Sequence, residues 1–319
     1  MIRPSQDTPK ERQWISNLDM VITTYHVPLL FFYKPNGSSD FFKPQVLKEA
    51  LSKTLVPFYP MAGRLGLDEN GRLEILCNTE GVLWVELKLH RPWMILKVLL
   101  PAQNCGNWFP RLITLEISVL IRLLWPSTYT ILAAYIWRCA TKARGLSYDQ
   151  PTKLYMPTNG RPRLHPPLPS RYVGNAMFTA SLIALSGNLQ SESFVNTLER
   201  VHGTLRRMDN EYLRSALDYL ETLPDITAAR RAPDTFQCPN LNIINWIRLS
   251  IHDADFGWGR PIYMGPANIV HEGKIYLLPS PTDDGSLSLV ACLQTAHIKL
   301  FEKHLYEGLM SFDKIKARY

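Results

Sequence analysis

Cysteine is scarce in this sequence and its residues are isolated. The five are Cys77, Cys105, Cys139, Cys238 and Cys292. No two have the close spacing of a zinc site or of a redox-active dithiol. The number is odd, which argues against a complete disulfide framework. We therefore expect buried free thiols in a reducing compartment.

Long apolar runs and targeting signals are also lacking. The first residues, MIRPSQDTPKERQW, hold no apolar stretch, so no secretory signal is predicted. The longest apolar stretch, residues 119–137, is interrupted by Arg122 and Pro126 and is too broken to span a bilayer. These absences predict a cytoplasmic protein that has no membrane partner.

The signatures of several common ligand classes are missing. There is no G-x-x-x-x-G-K-S/T loop, no G-x-G-x-x-G, no H-E-x-x-H and no G-x-S-x-G, so no metal and no bound cofactor are predicted. The formal net charge of +7 comes from basic residues spread along the chain. Nucleic-acid-binding proteins concentrate such residues, so no nucleic-acid partner is expected. A mild basic excess suits an anionic small ligand equally well.

Apolar periodicity predicts a mixed α/β chain. Strand patterns cover residues 19–34 and 59–87 and the runs INWIRL, KIYLLP and LSLVACL. Helical spacing covers 43–55, 127–143 and 191–222 and resumes near Ala296. The segment from residue 90 to residue 125 shows neither period.

The stretch HDADFGWGRP, residues 252–261, places a histidine, two carboxylates and an arginine close together. One interpretation is that His252 is a base oriented by a carboxylate. Local geometry favours a structural role, because Gly-Trp-Gly needs unusual backbone angles and an aspartate before such a turn commonly accepts backbone N–H groups. We predict a structural motif made of Asp255, Phe256, Gly257, Trp258, Gly259 and Arg260, with Arg260 as the partner of Asp255.

Several runs of residues resemble the plant BAHD acyltransferases, and within them the hydroxycinnamoyl-CoA:shikimate/quinate hydroxycinnamoyltransferases. These runs are DFGWG (255–259), YPMAGRL (59–65), Gly174-Asn175, KARGL (142–146), MDNEYLRSALDYLE (208–221) and FGWGRPIYMGP (256–266). The resemblance covers residues 1 to about 88 and 127–319. It implies a monomer of two α/β domains that resemble chloramphenicol acetyltransferase, with a tunnel between them.

The resemblance also implies a reaction. An acyl-CoA co-substrate and a small alcohol or amine acceptor enter the tunnel from opposite sides, and a histidine in an H-x-x-x-D motif deprotonates the acceptor. No metal or redox cofactor takes part. DFGWG lies away from the tunnel in such proteins, which agrees with the structural interpretation above.

Three positions of this chain match substrate-binding residues of the family. Arg231 matches an arginine that receives the acceptor carboxylate, for which a bidentate guanidinium is suited. Trp246 matches a tryptophan near the reacting centre, and His26 matches a histidine on the acceptor side. Ile244 departs from the family, because relatives have a threonine hydroxyl there.

The catalytic motif itself is missing, because none of the eight histidines is followed by an aspartate four positions later. In the family it belongs between Glu86 and Ser127. We considered every codon that can encode residues 92–125 and shifted the reading frame so that it starts at the third base of each codon. The shifted frame permits the peptides MDDFEGFAPSTKLRKLVP and VDYSRDISSYPLLM, which resemble the sequence of the family at this point of the chain. We infer a remnant of the N-terminal domain (1–89), an off-frame segment with a deletion (90–126) and a C-terminal domain (127–319). The N-terminal domain is therefore incomplete, and no catalytic residue is identifiable.

The predicted function is transfer of a hydroxycinnamoyl group from CoA to the hydroxyl of shikimate, quinate or a similar acceptor, in a chain that is inactive as written. Two alternatives stay open. His26 could act as a substitute base, or the chain could be a non-catalytic module that binds acyl-CoA or a partner acyltransferase.

Overall fold

The computed structural model describes residues 1–21, 27–87, 108–115, 127–232, 235–267, 269, 271–282 and 284–316. His26 and most of the predicted off-frame segment lie outside these ranges. Within them, no helix combines the length and the apolar character needed to traverse a bilayer.

A six-stranded mixed sheet forms the centre of the described part. Its strands, in spatial order, are β5 (Trp108–Leu115), β11 (Leu287–Gln294), β10 (Lys274–Pro279), β8 (Leu241–Asn245), β6 (Pro151–Asn159) and β7 (Met177–Leu185). β8 pairs in parallel with β10 and with β6, and the other neighbours are antiparallel. Mixed α/β architecture, as predicted from the periodicity, is confirmed.

The helix α3 (Thr128–Ala143) lies at the centre of the core. Ser127 caps its N-terminus by accepting a hydrogen bond from the backbone N–H of Thr130, and Gly145 follows its end with a φ of 57°. Most of its side chains are buried, because it packs between α5 (Phe194–Arg206) and α7 (Thr295–Lys316). The bounds predicted for α3 agree with the structure.

Residues 191–222, predicted as one helix, form more than one. A short helix, α4 (Ser186–Ser191), precedes α5, and α6 (Asn210–Thr222) follows it. The break occurs because Asp209 adopts an extended backbone and caps α6 by accepting from the backbone N–H of Tyr212.

The N-terminal part consists of short elements. A three-stranded sheet has the order β1 (Arg12–Trp14), β4 (Leu73–Leu76) and β3 (Arg64–Leu67). The same part of the chain contains helices α1 (Asn17–Met20) and α2 (Pro44–Thr54) and a 3₁₀ helix, Tyr59–Ala62. The third strand predicted before residue 88 is reduced to an isolated bridge between Ile2 and Val82. β2 (Leu29–Phe32) pairs with β9 (Tyr263–Pro266), which ties this part to the C-terminal half.

The described part of the predicted off-frame segment is a strand. We found no period of two there, yet residues 108–115 pair along their whole length with β11 at the edge of the large sheet, and Ile113 is buried. The backbone of an edge strand can pair irrespective of its side-chain pattern, which explains the difference.

Alternation along β8 and β10 creates a second apolar cluster. Ile243 and Ile275 join the main core with the helices, whereas Ile244 and Tyr276 belong to the cluster on the opposite face of the sheet. β8 begins at Leu241 and ends at Asn245, so it covers only the first two residues of the strand predicted from INWIRL (244–249). This opposite face bounds the candidate site.

Candidate functional site

A cavity of about 950 Å³ lies against β8 and β10. Two register pairs from these strands line it, Asn242 beside Lys274 and Ile244 beside Tyr276. Further lining comes from α1, β7, α6 and the segment after a second 3₁₀ helix, Ile226–Ala229. A cavity of this size accommodates a small organic ligand.

Trp246 and Ile244 give the cavity an aromatic and apolar wall. Trp246 follows the end of β8 and contacts the ring of Tyr276 edge-on, with 5.0 Å between the ring centroids. Ile244 lines the cavity beside it and carries no hydrogen-bond donor. The side chain that replaces the family's threonine is therefore located in this cavity.

Arg231 supplies a positive charge to the same cavity. Its guanidinium carbon is 5.7 Å from the centroid of the Tyr155 ring, and that ring contacts Phe236 edge-on at 5.2 Å. The residue is exposed overall, and the partial burial of its guanidinium lowers the pKa of Arg231, but a guanidinium stays charged in proteins. The neighbouring Arg230 points elsewhere and donates to the backbone carbonyl of Met20.

Two basic side chains of the cavity, His271 and Lys274, escaped the sequence analysis. The Lys274 ammonium is 5.5 Å from the centroid of the Phe236 ring, and the residue is only 8% exposed. Burial, and then the charge of Lys274, lower the pKa of His271, so its imidazole is neutral at neutral pH. No aspartate or glutamate is present among the described residues that line the cavity.

A buried ion pair holds the turn that carries His271 and Lys274. Glu272 accepts from Arg144 Nη2 at 2.6 Å and from the backbone N–H of Cys238 at 2.5 Å. Gly273 has a φ of 84°, and a Cβ atom there would lie 1.8 Å from the carbonyl oxygen of Phe236. The ion pair and Gly273 together keep Phe236 close to the first residue of β10.

The DFGWG turn lies outside the residues that line this cavity. One carboxylate oxygen of Asp255 accepts from the backbone N–H groups of Gly257, Trp258 and Gly259 at 2.8–3.0 Å. Arg260 forms an ion pair with Asp253 at 3.2 Å, a partner that we did not predict. These contacts close a turn and carry no reacting group.

Aromatic side chains pack the turn onto the N-terminal part. Trp258 is buried, stacks on Phe42 with 5.1 Å between centroids, and also contacts Tyr33 and Phe41. The Tyr33 hydroxyl donates to the carbonyl of Ala254 at 2.6 Å. The turn therefore joins the two halves of the described chain.

Replacing Asp255 with alanine should lower the free energy of unfolding by about 1–3 kcal/mol, because three backbone N–H groups lose their common acceptor. Urea unfolding followed by tryptophan fluorescence measures the change. Asp253→Ala is the matched control, and removing its exposed ion pair should cost at most about 1 kcal/mol. Equal losses in the two variants would contradict the assignment.

The site residues predicted from the sequence therefore do not all lie at one cavity. Arg231 and Trp246 line one cavity, His26 lies outside the described residues, and the residues of the DFGWG turn are not part of the cavity lining. Across the described ranges, no group of three or more His, Cys, Asp or Glu side chains is arranged to hold a metal ion.

Comparison with solved structures places the fold. The chain matches the crystal structure of vinorine synthase with a TM-score of 0.67 over 94% of both chains, at 17% identity. It matches TRI101 of F. graminearum, solved with ethyl coenzyme A, with a TM-score of 0.51 over 60% of this chain and 47% of the other, at 21% identity.

Sequence comparison places the family. The model of the Transferase family matches residues 1–110 and 115–308. The chain is 38% identical to a shikimate O-hydroxycinnamoyltransferase of Nicotiana tabacum and 39% identical to a hydroxycinnamoyltransferase of Narcissus pseudonarcissus, each over 96% of this chain and 98% of the relative. The chain therefore belongs to the Transferase family, that of the BAHD acyltransferases.

Proposed function

We propose that this chain binds a hydroxycinnamoyl-CoA thioester and a small hydroxyl-bearing acceptor with a carboxylate, such as shikimate or quinate. We further propose that acyl transfer between them is severely impaired, because the H-x-x-x-D motif is absent. The observation that carries the proposal is the guanidinium of Arg231 at a cavity whose described lining contains no acid.

A carboxylate is the ligand group that best fits this position. The described lining of the cavity offers the Arg231 guanidinium no carboxylate, so an acceptor carboxylate would supply an anionic partner there. An acceptor carboxylate can take two parallel hydrogen bonds from the guanidinium, which fixes the orientation of the acceptor as well as its presence. Trp246 and Tyr276 then offer aromatic surface to the rest of the ligand.

The donor proposal rests on the relatives. The tobacco and Narcissus proteins are named as hydroxycinnamoyltransferases, and the TRI101 structure contains ethyl coenzyme A. An acyl-CoA would be a co-substrate, and no further cofactor is proposed. The predicted cytoplasmic location and monomeric state also stay predictions.

Two observations support an incomplete N-terminal domain. The alignment with the tobacco enzyme extends over 425 positions, whereas this chain has 319 residues, so at least a hundred aligned positions hold no residue of this chain. The interruption between the two ranges matched by the family model, after residue 110, falls within the inferred off-frame segment. The first range extends beyond the boundary near residue 89, which therefore stays a prediction.

Replacing Arg231 with methionine should weaken shikimate binding by about 10- to 100-fold, because a charge-assisted hydrogen bond is lost. Calorimetry with the purified full chain measures the affinity. Arg230→Met is the matched control, since this neighbouring arginine contacts the Met20 carbonyl, and less than about a threefold change is expected. Equal losses in both variants, or none in Arg231→Met, would refute the proposal.

A further inference from the structure

We propose that Asn242 is a specificity-determining residue of this chain, and that its side-chain amide recognises a ring hydroxyl group of the acceptor. This inference rests on the proposed function, because Arg231 is taken to hold the same acceptor. It adds a requirement that is independent of charge. The ligand class is a hydroxylated ring, and a ring without hydroxyl groups should lose the contact with Asn242.

Asn242 has a buried position in the sheet that forms one wall of the cavity. It lies on β8 between its two register partners, Tyr155 of β6 and Lys274 of β10. Its backbone N–H donates to the carbonyl of Gly273 at 2.8 Å, and the residue is 6% exposed. Positions two apart on a strand share one face, and Asn242 and Ile244 accordingly both line the cavity.

The side-chain amide of Asn242 has no hydrogen-bond partner within the described ranges. Its oxygen, Oδ1, is sealed from solvent and unpaired, and no described residue bonds to its nitrogen. A buried amide without hydrogen bonds costs free energy. No bond to a described residue fixes which end of the amide points into the cavity, so the side chain can offer a donor or an acceptor there. A hydroxyl group both donates and accepts, so it can bond to either end.

The surroundings of Asn242 suit a ring that is held by Arg231. Of the two β8 residues that line the cavity, Asn242 alone carries a hydrogen-bonding side chain. The guanidinium carbon of Arg231 is 5.7 Å from the ring of Tyr155, whose backbone is the register partner of Asn242. Neighbouring strands are about 4.8 Å apart. A six-membered ring with its carboxylate at Arg231 can therefore bring a hydroxyl group to Asn242.

The test compares shikimate with 1-cyclohexene-1-carboxylate, which has the same ring and carboxylate without the hydroxyl groups. Calorimetry with the full chain measures both affinities. Asn242→Leu should weaken shikimate binding about tenfold or more and change the affinity for the unhydroxylated acid by less than about threefold. Arg231→Met should weaken the binding of both acids, because both carry the carboxylate.

Asn245→Leu is the matched control on the same strand. Asn245 is exposed, does not line the cavity, and accepts from the backbone N–H of Ile247 at 3.1 Å. The affinities for both acids should stay within about threefold. Asn242→Leu should unfold at the same or a higher urea concentration than the unchanged chain, because the amide that it removes has no partner among the described residues.

Each other outcome overturns a defined part. Equal weakening of both acids by Asn242→Leu would show that the residue shapes the cavity, and a lower urea midpoint would show that its amide is bonded within the protein; either result refutes the inference. If shikimate binding depends on Arg231 but not on Asn242, the inference is wrong and the proposed function stands. If neither acid binds and Arg231→Met changes nothing, the inference and the proposed function both fail.

Discussion

The purified chain, given p-coumaroyl-CoA and shikimate, should form ester at least about a hundredfold more slowly than the tobacco shikimate O-hydroxycinnamoyltransferase. The reason is chemical. A shikimate hydroxyl is a weak nucleophile until a base takes its proton, and a positioned general base contributes about 10²- to 10⁴-fold to the rate. No histidine of this chain has the H-x-x-x-D context that the resemblance assigns to that base.

A matched variant tests whether the missing base, rather than another difference from the tobacco enzyme, causes the slow rate. A chain in which residues 90–126 are replaced by the corresponding, longer segment of the tobacco enzyme, with the H-x-x-x-D motif that the resemblance places there, should recover the rate. Changing the restored histidine to asparagine should abolish the gain. A coding sequence that cannot spell DDFEGFAP in the shifted frame would refute the off-frame explanation.

Turnover of the chain as written at the rate of the tobacco enzyme would contradict the prediction, and two variants would then identify the substitute base. His271→Asn tests the described histidine that lines the cavity, whose lowered pKa leaves it neutral and able to accept a proton. His26→Ala tests the alternative raised by the sequence. Loss of ester formation in one of them assigns the base.

Locally encoded features of the fold were predictable. Ser127 and Gly145 mark the two ends of α3, and both signals act within one helical turn. Asp255 accepts hydrogen bonds from backbone N–H groups two to four residues away, so its role in the turn could be inferred from the local sequence alone. Arg231 and Trp246 were found through resemblance, and the structure adds that they share a cavity.

Features that depend on distant pairing were not predictable. Lys274 lines the cavity because β10 pairs in parallel with β8 in one register, a contact that no local pattern encodes, and His271 lies in the turn just before β10. The interruption before α6 was missed because the apolar spacing continues across Asp209, whose capping bond ends the helical path. The ion pair between Arg260 and Asp253 was not predictable either, because it depends on the path of the turn.

Replacing Arg144 with methionine should lower the free energy of unfolding by about 3–5 kcal/mol, because Glu272 would keep a buried, unpaired charge. Both side chains are 1% exposed, so water cannot replace the lost partner. Urea unfolding followed by circular dichroism measures the loss. Arg12→Met is the matched control, since Arg12 pairs with Glu74 while its own side chain is 59% exposed, and at most about 1 kcal/mol is expected.

Removing both charges should restore much of that stability. Arg144→Met with Glu272→Leu leaves no unpaired ion, and buried ion pairs replaced by apolar side chains of similar volume are often close to neutral in stability. The double variant should still bind shikimate more weakly, because the turn that carries His271 and Lys274 loses its anchor to Cys238 and to α3. A double variant no more stable than Arg144→Met alone would show that the pair contributes packing and hydrogen bonds rather than mutual neutralisation.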